Sequence, residues 1–195
     1  MIKRIFDFSS AFIGLMILSP LLILISLLIK IDSAGPVLFS QKRVGKDGRL
    51  FTLVKFRSMN IKQNSNSTNT IRGDIRITKI GELLRRYKLD ELPELWNVIK
   101  GEMSLVGPRP DVPGYADGLK GRDREILKLR PGITGTASLK YANEEEILAS
   151  QEDPQKYNDE VIFPDKVKVN LEYYENQSLW LDIKIIFATI FRTSY

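Results

Sequence analysis

Residues 5–29 read IFDFSSAFIGLMILSPLLILISLLI, an apolar run between Arg4 and Lys30 whose one charged residue is Asp7. As a straight helix the run reaches about 37 Å, enough to cross a bilayer. Three readings compete: a cleaved signal peptide, a straight transmembrane helix and a re-entrant hairpin. The run is longer than a typical signal h-region, and a straight span is the default. Ser19-Pro20, near the middle, brings in the hairpin. Pro20 has no N–H and its ring crowds the Met16 carbonyl, which predicts a kink, and the Ser19 hydroxyl can satisfy a freed carbonyl in the membrane. Lys3 and Arg4 precede the run, and Lys30, Lys42 and Arg43 follow it. Basic residues on both sides suit two ends on the cytoplasmic face.

Beyond Gly35-Pro36 the pattern turns β-like. VLFSQKRVG and RLFTLVKFRSM flank Lys46-Asp47-Gly48, and Asp-Gly between alternating segments predicts a hairpin turn. Residues 60–70 (NIKQNSNSTNT) read as a mobile polar loop. Helices are expected at 79–88, from Asp90 onward with Leu92, Leu95, Trp96 and Ile99 on one face, and at 122–129, 143–150, 165–175 and 178–191. The last, SLWLDIKIIFATIF, is too short to span a bilayer upright; it suits either the membrane interface, with Trp180 at headgroup level, or an ordinary core. The fold class is an α-rich α/β (α+β) chain with a small β-hairpin.

Two absences restrict the chemistry. The 195 residues contain no Cys and no His, so disulfides, thiolate catalysis and imidazole bases are excluded. A metal would have to sit on oxygen ligands, which favours Mg²⁺, with Mn²⁺ as the alternative. The net charge of +5 is uneven: residues 1–60 carry +6, 61–135 carry +4 and 136–195 carry −5. The basic part therefore coincides with the apolar run and fits anionic headgroups and phosphorylated substrates. A nucleic-acid partner is not expected, given the apolar segment and the acidic C-terminal third.

The candidate site lies in residues 89–110, LDELPELWNVIKGEMSLVGPRP. Asp90 and Glu91 open a short helix, where acids commonly complement the dipole. Here Arg85, Arg86 and Lys88 precede them and Arg109 follows between two prolines, a setting suited to phosphate binding. Ionised carboxylates in that field can bind Mg²⁺, and an ionised Asp can attack phosphorus. Lys55 alternates with Phe56 on a predicted strand and points either into the site or into water.

Taken together the blocks KRIFDF, Ser19-Pro20, PVLFSQKRVGKDGRLFTLVKFRSM, LDELPELWNVIKGEMSLVGPRP, RPGITG and SLWLDIKIIFATI resemble the bacterial sugar transferases that are monotopic phosphoglycosyl transferases. The resemblance covers nearly the whole chain. It implies transfer of a sugar-1-phosphate from a UDP-sugar, with Mg²⁺, to a polyprenyl (undecaprenyl) phosphate in surface glycan synthesis. Asp90 matches the family nucleophile, which forms a covalent phosphosugar intermediate and releases UMP. Glu91 matches the metal-binding acid, and Lys55, Arg85 and Arg109 match basic positions that handle phosphates. The resemblance also implies a re-entrant membrane hairpin over 1–32, broken at Ser19-Pro20, and a catalytic domain over 33–195 with interfacial helices, held at the cytoplasmic face of the bacterial inner membrane. A second copy of the chain and downstream glycosyltransferases are the further partners open to it. The alternative is a non-catalytic membrane scaffold of a glycan-assembly complex. The chain departs from the common family pattern after Gly135: TASLKYANEEEILA stands where many members carry Ala-Gln-Val and a Gly-Arg-Asn motif, so the resemblance does not name the sugar.

Overall fold

The computed structural model describes residues 1–60, 76–191 and 193; all of the expected polar loop except Asn60 lies outside them. The apolar run forms α1 (Ile2–Asp32), one helix of 31 residues. It is long and apolar enough to cross a membrane by length and composition. Helical backbone continues through Ser19-Pro20, so the expected break is not an interruption between two helices. Pro20 frees the carbonyl of Met16, and the Ser19 hydroxyl donates to that same carbonyl at 2.8 Å, which restores the lost bond locally.

Both halves of α1 rest on the remainder of the chain, by different means. Near the N-terminus the contacts are polar. Arg4 donates to the carbonyls of Val98 and Ile99 at 2.6 and 2.8 Å, and Asp7 accepts from the Ser104 hydroxyl at 2.8 Å and from Leu105 N–H at 3.2 Å. Near the C-terminus, Ile25 and Ile29 are buried with Phe56 and Leu84. Phe8, Phe12, Ile13, Met16, Ile17, Ile23, Leu24 and Leu27 face outward.

Strands β1 (Leu38–Val44) and β2 (Leu50–Phe56) pair antiparallel, with Arg43 opposite Phe51 and Val44 opposite Leu50. Between them Asp47 and Gly48 take φ of 58° and 77°, the left-handed conformations that an Asp-Gly turn favours. Helix α2 (Lys79–Arg86) is capped by the Thr78 hydroxyl, which accepts from Gly81 N–H at 2.9 Å. Helix α3 (Glu94–Lys100) follows.

The buried surface of α3 is wider than its apolar spacing suggests. It packs against α1 on one side and β2 on the other, so Glu94, Asn97 and Val98 are buried while Trp96 is 54% exposed. Leu95 and Ile99 are half-buried against a core of Ala11, Phe51, Leu53, Val98 and Met103. Asn97 is tolerated there because its amide is satisfied: it accepts from Val54 N–H at 3.1 Å and donates to the Thr52 carbonyl at 2.8 Å and to Glu102 at 2.7 Å.

A second, parallel pair of short strands was not expected: β3 (Ser104–Val106) beside β4 (Gly132–Thr134). Glycine makes this junction. A Cβ on Gly132 would stand 2.1 Å from the Gly107 nitrogen, and one on Gly135 would stand 2.2 Å from the Gly107 oxygen. The SLVGPRP and RPGITG blocks therefore press backbone against backbone.

The C-terminal third is helical. A 3₁₀ helix spans Gly121–Lys128 before β4, and α4 (Thr136–Lys140), α5 (Glu144–Ala149), α6 (Pro154–Tyr157), a π-helical stretch Asn158–Ile162, α7 (Phe163–Asn176) and α8 (Leu179–Phe191) follow. Of the two placements weighed for the last helix, α8 buries Asp182, Ile185 and Ala188 and leaves Trp180, Phe187, Ile190 and Phe191 exposed.

Candidate functional site

Asp90 and Glu91 lie in a single 3₁₀ turn, Leu89–Glu91, between α2 and α3; they do not open α3, as expected, but precede it. Two residues beyond α2, Lys88 takes a left-handed φ of 55° and leads into this turn. Pro93 cannot donate to the Leu89 carbonyl, so Leu92 N–H does instead, at 3.3 Å, closing the tighter turn. The turn sets the acids inward: Asp90 and Glu91 are 6% and 7% exposed, and Glu94, at the start of α3, is 4% exposed.

The loop carrying Arg109 is pinned on both sides. Gly107 N–H donates to Thr134 O at 2.9 Å, and Pro108 O accepts from Gly132 N–H at 2.8 Å. On the far side, Asp111 O accepts from Val44 N–H at 2.9 Å and Pro110 O from the Arg43 guanidinium at 3.1 Å. Arg109 Nη2 thus meets Glu91 Oε1 at 2.5 Å, while 45% of the Arg109 side chain remains exposed for a further anion.

Electrostatics separate the three acids. Burial alone would raise the Glu91 carboxyl, but the charge and hydrogen bond of Arg109, helped by Lys55, hold it down at about 2. Glu94 is pushed up to about 8 by burial and by the charge of Glu91. Burial and Glu91 raise Asp90 as well, while Lys55, Arg85 and Arg109 oppose the rise. Lys55 is itself lowered by burial and by Arg109. Crowded, mutually shifted groups of this kind characterise sites that are completed by a ligand.

All five expected residues, Lys55, Arg85, Asp90, Glu91 and Arg109, fall within one electrostatic neighbourhood. Arg85 also pairs with Glu145 of α5, so the departing segment after Gly135 reaches the site. Ser19 and Pro20 belong to α1 and do not enter it. Sequence reasoning missed three neighbours: Glu94, Asp111 and Arg43. The signal for Glu94 was its place three and four residues beyond the acid pair, one turn along a helix. Asp111 follows the GPRP loop and is pushed up to about 6 by burial, against the pull of Lys166, Arg43 and Arg109. Among the described residues, no group of three or more acids, His or Cys has the arrangement of a metal cage. Asp90 and Glu91 are oxygen donors of the kind Mg²⁺ takes one or two of, its other positions going to water and substrate phosphate.

The bacterial sugar transferase model matches residues 1–194. An undecaprenyl-phosphate glucose phosphotransferase of Komagataeibacter xylinus is 43% identical over 97% of this chain and 35% of its own length. A UDP-N-acetylgalactosamine-undecaprenyl-phosphate N-acetylgalactosaminephosphotransferase of Aeromonas hydrophila is 38% identical over 97% of this chain and 43% of its own. The chain thus spans less than half of these two relatives. It covers 93% of a third, the exopolysaccharide production protein PSS of Rhizobium leguminosarum bv. phaseoli, which is 38% identical over 97% of this chain. The motif blocks, the buried acid turn facing its arginine loop and the full-length match agree: the chain belongs to the bacterial sugar transferase family.

Proposed function

We propose that the chain is a phosphoglycosyl transferase that moves a sugar-1-phosphate from a UDP-sugar to undecaprenyl phosphate, releasing UMP, in the first membrane step of surface glycan synthesis. The observation that carries this reading is Asp90, a buried carboxylate among Lys55, Arg85 and Arg109, beside a Glu91 already held ionised by Arg109. The names of the relatives support the substrates: undecaprenyl phosphate as acceptor, and glucose or N-acetylgalactosamine donors. Those two donors differ in their sugar, so the assay below uses a panel of nucleotide sugars.

The steps follow from the residues. Burial and the Glu91 charge raise the Asp90 carboxyl, and the three cations oppose that rise in favour of the ionised form that attacks. An Asp90 oxygen attacks the sugar-bearing phosphorus; the bond from that phosphorus to the bridging oxygen breaks, and UMP leaves with that oxygen. Arg109 and Arg85 hold the phosphate oxygens as charge shifts onto them. An oxygen of undecaprenyl phosphate then attacks the same phosphorus, and the acyl-phosphate bond breaks to return the Asp90 carboxylate. A Mg²⁺ (or Mn²⁺) ion held by Asp90 and Glu91 would supply additional positive charge to the donor diphosphate.

The setting is the membrane surface. The outward apolar face of α1 inserts, while its two ends, one packed on α3 and the other on α2 and β2, stay on one side. We therefore read the chain as monotopic, at the cytoplasmic face of the inner membrane, where a soluble donor meets a lipid acceptor. A nucleotide-release assay in nanodiscs, with a panel of nucleotide sugars and undecaprenyl phosphate, tests the reaction. UMP as product, dependent on a divalent cation, is expected. UDP as product overturns the reading, and silence with every donor returns the chain to a scaffold role.

A further inference from the structure

The FSQKRVG block of β1 has no part in the chemistry described so far, yet it touches the arginine loop. Gln41 and Arg43 are two apart on one strand and therefore share a face. Arg43 Nη2 donates to Gln41 Oε1 at 2.7 Å, and Nη1 donates to Pro110 O at 3.1 Å. The next residue, Val44, adds its N–H to Asp111 O at 2.9 Å. These contacts fix the chain just after Arg109, as Gly132 and Thr134 fix it just before.

Arg43 is an expensive residue for this bracing. Its Nε is buried without a partner, an unmet donor that a smaller side chain would not bring. Burial and the nearby charge of Arg109 also push its guanidinium down, which places the two arginines within electrostatic reach. The return on this cost is geometric: Arg109 is fixed in the backbone on both sides before any phosphate arrives, and placement to within about 1 Å decides how well an arginine meets a diphosphate. We propose that Arg43, oriented by Gln41, is a positioning residue that holds the Pro110 side of the loop so that Arg109 meets the donor diphosphate. This rests on the phosphoglycosyl transferase reading.

The test is a double-mutant cycle on donor affinity in the Asp90→Asn background, which binds without turning over, using the nucleotide sugar that the release assay identifies. Arg43→Ala should weaken binding about tenfold. Arg109→Ala should weaken it at least as much, and the double variant should be no weaker than Arg109→Ala alone, because a positioning effect vanishes once its target is gone. Additive losses, or wild-type affinity in Arg43→Ala, overturn the proposal. If Arg43→Ala does not fold, Gln41→Ala takes its place in the cycle, with a smaller loss and the same dependence on Arg109. A wild-type enzyme that releases no UMP refutes the functional reading instead, so the two failures are distinguishable.

Discussion

Asp182 and Asp90 are both buried acids with cationic neighbours, but Asp182 has a partner on each of its oxygens. One Asp182 oxygen takes Lys3 Nζ at 2.6 Å and the other takes the Tyr173 hydroxyl at 2.5 Å. Asp7, 3.8 Å from the same ammonium, fills its remaining capacity with Ser104 and Leu105. This cluster ties the start of α1 to α8, α7 and β3, and it needs no ligand. Asp90 lies near two further acids, Glu91 and Glu94, and the cations beside it are divided: Arg109 serves Glu91, and Arg85 serves Glu145. A satisfied buried network specifies a structure; a crowd of mutually shifted acids and cations marks a candidate functional site.

Activity separates the two acids most. Asp90→Asn should cut UMP release by about four orders of magnitude or more, abolish the covalent adduct seen by mass spectrometry, and leave the melting temperature at or above wild type. Asp182→Ala should do the reverse. It leaves Lys3 only Asp7 at 3.8 Å and the buried Tyr173 hydroxyl only the Val106 carbonyl at 3.4 Å, a loss of about 3 kcal/mol or more, with the surviving folded protein still forming the adduct. An Asp90→Asn protein that melts far below wild type, or a stable Asp182→Ala protein, would erase the distinction.

Stability as a function of pH separates the site's own acids. Glu94, pushed up to about 8 from an ordinary 4.5, keeps a proton in the folded chain that the unfolded chain gives up. Stability should therefore fall as pH rises through that window. Glu91, held at about 2, works in the opposite sense: its contribution is present above 4.5 and is lost as pH falls toward 2. In metal-free buffer the melting temperature should decline from pH 5 to pH 8, and Glu94→Gln should flatten the decline. A flat wild-type profile contradicts the arrangement.

The two clusters were unequally legible. The candidate site announces itself because its acids and arginines are close in sequence and no His or Cys competes for the role. Glu94 escaped because an acid in a helix's first turn already has a reason to be there. Arg43 escaped because, on a predicted strand, a cation reads as solvent-facing. The anchoring cluster was invisible except as an isolated Asp7, since its partners lie 97 residues from Asp7 and 179 from Lys3. The β3–β4 pair escaped for a related reason: three-residue strands carry no period, and the glycines that seat them read as ordinary turns.

The smallest expected effect concerns Arg85. Its partner Glu145 is 47% exposed at the side chain and belongs to the stretch that departs from the common family pattern. An ion pair so wet contributes about 0–1 kcal/mol, yet on the proposed function a donor phosphate must displace it to reach the guanidinium. Glu145→Gln should therefore leave the melting temperature unchanged and lower the donor KM by up to about fivefold at low salt, the gain shrinking as ionic strength rises. Removing a true scaffold contact, as at Asp182, can produce no such gain. A raised KM in Glu145→Gln would mean that Glu145 orients Arg85 instead of competing for it, and the catalytic cluster would then be more complete without its ligand than its buried acids imply.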